Sequence, residues 1–161
     1  MRLLDRTGEI DDLWPAVTDE LPLAGRALVP FAMLDEALKS GLELGVDVPN
    51  TIDPAKLTRY FGRLAMISVD FPGFADGRGF SIGRKLRAEG FLGRLRASGP
   101  VISDQFTYLL QCGFDEVALP DDVAARQPIE DWIAQLGLIT SGYQRGIDGR
   151  GSILDQRWSG R

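Results

Sequence analysis

The sequence predicts a single α/β domain with a mainly parallel five-stranded sheet and helices on both faces; a partial (β/α) barrel is the alternative arrangement. Two observations carry this. Short apolar runs alternate with helical patterns along the chain, the rhythm of βα units. The 161 residues, 44% hydrophobic and 25% charged, suit one domain with a core of ordinary size.

Residues 1–25 read as an irregular arm packed on the domain, because Trp14-Pro15 and Leu21-Pro22-Leu23 are apolar but punctuated by proline. The α/β domain proper is expected over 26–142. Ala27–Leu34 is the first strand, and Pro30 puts it at an edge. A short helix over Asp35–Ser40 stops at Gly41. Leu42–Val48 is the second strand. Asp53-Pro54 then combines an N-cap with a proline in the first helical position, opening a helix to about Phe61.

Leu64–Phe71 (LAMISVDF) is the third strand and the clearest buried one. After the loop Pro72–Gly79, a helix runs to about Glu89 and closes at Gly90. Gly93–Ser98 is the fourth strand. Ser103 is a candidate N-cap, followed by the apolar stripe Phe106, Leu109 and Leu110, with Gly113 as the stop. Glu116–Leu119 is the fifth strand. Asp121-Asp122 starts a helical turn and Pro128 restarts it. Ile129, Trp132, Ile133 and Leu136 then fall at i, i+3, i+4 and i+7 up to Gly137. The tail 143–161 is rich in Gly and Arg, and partial order at most is expected there. No tandem repeat is present.

Composition narrows the chemistry. The net charge of -5 argues against a general nucleic-acid binder. No apolar run approaches the roughly 20 residues of a membrane span, and the N-terminus MRLLDRTGEIDD lacks the apolar centre of a secretory signal. A cytoplasmic protein is therefore expected. With no histidine, imidazole acid/base chemistry and imidazole metal ligation are excluded. The single cysteine, Cys112, cannot by itself hold an iron–sulfur cluster or a structural zinc, and neither is expected. Any redox cofactor would be organic or shared with a partner; its identity is open.

The chemically loaded stretch is DFPGFADGRGFSIGRKLRAEG, residues 70–90. Gly77, Gly79 and Gly83 surround a helix start, where open backbone N–H groups and the helix dipole favour an anion. Arg78, Arg84, Lys85 and Arg87 lie in or after the loop, and Arg94 and Arg96 follow in the next strand. An oxyanion such as phosphate or a sulfur oxyanion suits them. The proposed anion set is Asp76, Gly77, Arg78, Gly79, Arg84 and Arg96, with Asp70, Ser98, Asp104 and Gln105 in support. The plainer alternative makes the glycines packing and turn residues, Arg84, Lys85 and Arg87 an exposed face, and Asp70 a partner for Arg96. Arg84 and Arg87 would equally serve as a contact surface for a protein. GRGFSIG is a poor dinucleotide fingerprint, since the loop before it is too long and the next strand ends in RLRASGP without the acid. Cys112, at a helix C-terminal end, reads as a packing residue.

The run Phe71-Pro72-Gly73-Phe74-Ala75-Asp76-Gly77-Arg78-Gly79-Phe80-Ser81, with Arg84, Leu86-Arg87, Leu95-Arg96-Ala97, Asp104-Gln105 and Cys112-Gly113-Phe114-Asp115, resembles the bacterial DUF934 family over roughly residues 42–120. Gly83-Arg84 and Gly99-Pro100 depart from the Ala-Arg and Gly-Asp of that pattern. The resemblance implies a cytoplasmic role in sulfate assimilation beside assimilatory sulfite reductase and adenylyl-sulfate reductase, without established catalytic residues. Three functions stay open: a protein binding a sulfur oxyanion or nucleotide-sulfate at the strand rim, a non-catalytic partner or scaffold of a reductase, and an oxidoreductase with an organic cofactor.

Overall fold

The computed structural model describes residues 1–138. The first segment is irregular only beyond Ile10. Arg2–Asp5 (β1) and Gly8–Ile10 (β2) form an antiparallel hairpin. Its turn is set by Asp5, whose carboxylate accepts from the Thr7 N–H at 2.7 Å and from the Thr7 hydroxyl at 2.6 Å. Gly8 follows at φ 124°.

The remaining strands are Arg26–Pro30 (β3), Glu43–Val48 (β4), Leu64–Asp70 (β5), Arg94–Ser98 (β6) and Glu116–Leu119 (β7). The sheet has seven strands in the order β2-β1-β7-β6-β5-β4-β3. β3 to β7 are parallel, whereas β1 pairs antiparallel with both β2 and β7. The expected five-stranded sheet is thus widened by a hairpin from the arm. Pro30 ends β3, an outermost named strand of the sheet.

Helices connect the parallel strands: Leu34–Ala37 (α1), two 3-10 turns over Pro54–Lys56 and Thr58–Arg63, Arg78–Ala88 (α2), Phe106–Gln111 (α3), Asp121–Ala124 (α4) and Ile129–Leu138 (α5). Asp53 caps the first 3-10 turn by accepting from the Ala55 N–H at 3.1 Å. Ser103 is not an N-cap; it is the first residue of a 3-10 turn leading into α3, and Gln105 Oε1 accepts from the preceding Ile102 N–H. Gly137 lies inside α5 rather than ending it. The tail 143–161 lies outside the described residues.

Helices on both faces is the second expectation that needs correction. The main core joins Val29, Val46, Ile67, Val69, Leu95, Ala97, Val117 and Leu119 to residues of all five helices. Among the described residues the opposite face carries only the small cluster Trp14, Leu28 and Met66, with Ala65 beside it and no helical residue. The reason is topological. From β3 to β7 each crossover steps to the next strand in the same direction, and right-handed crossovers then all leave from one face.

That second face is crossed by the chain itself. Beyond β2, Asp12 and Trp14 lie on it, and Ala16 bridges to Leu28 outside β3. Ile10 and Ala16 thus sit at opposite edges. Six strand spacings from β2 to β3 amount to about 29 Å along the sheet. The intervening residues reach about 21 Å when extended. The sheet must therefore curl around this strap, which lies on its concave side. Trp14 fills the hollow above Gly45, where an added Cβ would lie 3.3 Å from the indole.

Candidate functional site

Strand alternation on the concave face produces a polar row. Asp47 on β4 pairs in register with Ser68 on β5, Ser68 with Arg96 on β6, and Arg96 with Glu116 on β7. Ser68, Arg96 and Glu116 are each 1% exposed. Arg96 Nε donates to Glu116 Oε1 at 2.7 Å, and its two terminal nitrogens donate to the strap residue Asp12 at 2.9 and 2.8 Å. Glu116 also accepts from Arg94. Burial alone would lower the Arg96 pKa and raise that of Asp12; the paired hydrogen bonds and opposite charges win on both sides, so Arg96 is raised and Asp12 lowered.

One row toward the carboxyl ends, Asp70 pairs in register with Ser98, and Ser98 with Ala118. These residues open into a cleft of about 540 Å³, also lined by Phe71, Pro72, Gly99, Pro100, Pro120 and Asp121. Gly99 is obligatory here: its φ is 136°, and an added Cβ would meet the Phe71 carbonyl oxygen at 2.0 Å. Burial, followed by the charge of Asp76, raises the Asp70 pKa. Asp47 is accessible to solvent on one side yet crowded by the sheet on the other; burial, then Asp70, raises its pKa against the lowering effects of Ser68 and Arg96.

Beyond Asp70 the glycine-rich loop turns back. Asp76 accepts from Arg78 Nε at 3.0 Å and from a terminal Arg78 nitrogen at 2.6 Å, and Asn50 Nδ2 donates to it at 2.8 Å. Arg78 holds the Asp76 carboxyl far below the usual range. Gly77 is the residue before α2 at an ordinary φ of -78°, with no side-chain cap. Gly79 and Gly83 serve packing. An added Cβ would meet the Phe71 ring at 2.3 Å in the first case and the Phe114 ring at 2.4 Å in the second.

The expected anion residues do not converge. Asp76 and Arg78 neutralise each other at the start of α2. Arg96 is buried on the concave face with two carboxylate partners. Arg87 is turned inward, donating to the carbonyls of Gly113, Phe91 and Gly93 and to Asp115 at 2.7–2.9 Å. It fastens the end of α2 and is not an exposed partner contact. Arg84 is exposed, with its guanidinium carbon 5.6 Å from the Tyr108 ring centroid.

Asp70 and Ser98 line the cleft, while Asp104 accepts from Gln135 at 3.2 Å. Gln105 Nε2 donates to the Phe74 carbonyl at 2.7 Å, tying α3 to the loop. Cys112 is buried, and burial raises its thiol pKa against the lowering effects of Arg84 and Tyr108.

Asp12, Asp47, Ser68 and Glu116 are members of this face, and Asn50 a partner of Asp76, that the sequence pattern does not single out. A signal exists for Ser68 and Glu116 in the polar positions at alternate places along otherwise apolar strands. None exists for Asp12, whose partner is 84 residues away.

The pattern of a family described as bacterial protein of unknown function (DUF934) matches residues 45–154, more than half of the 161-residue chain. The chain belongs to the DUF934 family. The match includes the glycine-rich loop, α2, β6 and β7, and so covers the concave row from Asp47 to Glu116. The strap and the N-terminal hairpin lie before it. No curated protein matches the chain. Among the described residues, no helix is long and apolar enough to cross a membrane.

Proposed function

We propose that this DUF934 chain is a cytoplasmic accessory protein of sulfate assimilation that acts as a non-catalytic partner of a sulfite or adenylyl-sulfate reductase. The pathway rests on the family resemblance; the mode of action rests on one surface. Phe74 is 60% and Tyr108 44% exposed, and Arg84 lies over Tyr108. The Gln105 link to Phe74 and the Phe80–Tyr108 ring contact, 4.9 Å between centroids, hold these groups on one side of α2 and α3. Exposed aromatics beside an arginine are the composition of an interface centre.

The test is size-exclusion chromatography of the purified chain mixed with each reductase. Co-elution that is lost in Arg84→Glu combined with Tyr108→Ala supports this reading; separate elution of the unaltered chain from both reductases overturns it. Arg87 is unsuitable for such a variant because it fastens the fold.

A second reading, binding of a sulfur oxyanion at the first turn of α2, is favoured by the 59% exposed Arg78 side chain and by Gly77, which offers that turn no side-chain cap, although Asp76 accepts from the Arg78 N–H. It requires the anion to displace Asp76 from Arg78. Sulfite or an adenylyl sulfate that raises the melting temperature, with the effect lost in Arg78→Ala, would support it.

A further inference from the structure

Most arginines of the described residues have an oxygen to donate to. Arg26 meets Glu43, Arg63 the Leu38 carbonyl, Arg78 Asp76, and Arg96 both Asp12 and Glu116. Among the described residues, Arg6 and Arg84 have no such acceptor. Arg6 lies in the hairpin turn with no aromatic ring under it, whereas Arg84 is stacked on Tyr108. Lys85, the next residue of α2, is exposed and has no carboxylate partner among the described residues.

The stack is anchored. Tyr108 leans on the Phe80 ring at a tilt of 51°, and Phe80 belongs to the main core. Arg84 is thus restricted by the ring before any partner arrives, so ordering it on binding costs little. Its guanidinium carries five N–H donors and no acceptor, and they are free for an incoming carboxylate. Phe74 adds an exposed apolar ring on the same side.

We infer that this face takes a short acidic segment of a partner protein, with carboxylates meeting Arg84 and Lys85 and an apolar side chain lying against Phe74 and Tyr108. The inference rests on the reading of this surface as a partner contact and adds the chemistry of what covers it. Charge sets the sign. A basic segment is opposed by both cations. A guanidinium pairs bidentately with a carboxylate, a geometry that one acidic side chain satisfies. A nucleic acid is held through many phosphates on a basic tract. This chain carries a net charge of -5, and Arg84 and Lys85 are no tract. A small oxyanion gains nothing from the exposed rings, whereas such rings supply the apolar centre of a protein contact.

The test is an amide NMR titration of the full chain with the blocked pentapeptide DDFDD. The peptide KKFKK, the peptide DDGDD, which lacks the ring, and a short oligothymidylate are titrated in parallel. Saturable shifts centred on Phe74, Arg84, Lys85 and Tyr108 are expected with DDFDD, weaker binding with DDGDD and none with KKFKK. Arg84→Glu combined with Lys85→Glu should weaken DDFDD binding at least about tenfold, while Lys39→Ala should leave it unchanged. Added sodium chloride should weaken it as well. Both replaced side chains are exposed, and an unchanged melting temperature of the double variant separates lost binding from lost folding. The inference is overturned by an absence of saturation up to about 10 mM. It is equally overturned by undiminished binding in the double variant, or by binding of KKFKK or oligothymidylate at these residues as tight as that of DDFDD. Because the probe is a peptide, the outcome does not depend on either reductase. Peptide binding here with separate elution of both reductases would sustain this inference and overturn the proposed partner; co-elution without peptide binding would do the reverse.

Discussion

Asp12 and Arg96 are 84 residues apart in sequence and meet through two hydrogen bonds of 2.9 and 2.8 Å on the concave face of the sheet. The guanidinium is 1% exposed, so it cannot turn to water if its partner is lost. Asp12→Ala should destabilise the fold by about 3 kcal/mol, because it leaves a buried charge half compensated. Urea unfolding at neutral pH measures this. The sign with pH is fixed as well. The folded pKa of Asp12 is lowered, so its contribution is full above the unfolded value near about 3.9 and is lost as pH falls through the folded value. Unaltered protein and variant should therefore converge in acid.

Asp70 behaves in the opposite sense. Its folded pKa is raised, first by burial and then by Asp76. The folded state consequently holds its proton to higher pH than the unfolded state, and stability falls as pH rises from about 4 through the folded value. Asp70→Asn should raise the melting temperature at pH 7, and the gain should vanish toward about pH 4. Melting curves across that range decide it; a lower melting temperature for the variant at pH 7 would contradict the assignment.

Gly99 should tolerate no side chain. Its left-handed φ of 136° and the 2.0 Å separation between an added Cβ and the Phe71 carbonyl oxygen act together. Gly99→Ala should cost at least about 2 kcal/mol, since both strain and backbone displacement are involved. Gly77→Ala, at an ordinary φ with only the Phe80 ring within 4 Å, should stay within about 0.5 kcal/mol. Denaturant midpoints of the two variants provide the comparison.

Two arginines three residues apart on α2 should differ as sharply. Arg87 satisfies three backbone carbonyls and pairs with Asp115, so Arg87→Ala should cost about 2 kcal/mol or more. Arg84, which lies exposed over Tyr108, should cost about 0.5 kcal/mol or less when replaced by alanine. Thermal unfolding of both checks this, and equal losses would reject the inward placement of Arg87.

Much of the parallel region is legible in the sequence because its signals are local. Glu116–Leu119, the Asp53-Pro54 start and the helix after Gly77 each depend on residues within one turn or one strand. The hairpin is not legible: β1 is four residues long with charges at both ends, and it is held in place by pairing with β7, which is distant in sequence. The uncovered face does leave a trace. In β5 and β6, Ser68, Asp70, Arg94, Arg96 and Ser98 take alternate positions between apolar residues, whereas strands covered by helices on both sides are apolar almost throughout. Nothing local pairs Asp12 with Arg96, so in sequence that arginine looks like a free cation.

The pairing of Leu3 with Ala118 also has a consequence for biosynthesis. The hairpin leaves the ribosome before the other strands of the sheet, yet its docking strand is the last of them to emerge. Until then the edge of the growing sheet has no cover, and contacts so distant in sequence form slowly. A helper that shields this edge during translation should therefore raise the yield of folded chain, and moving the hairpin to follow β7 in a circular permutant should remove the need for it.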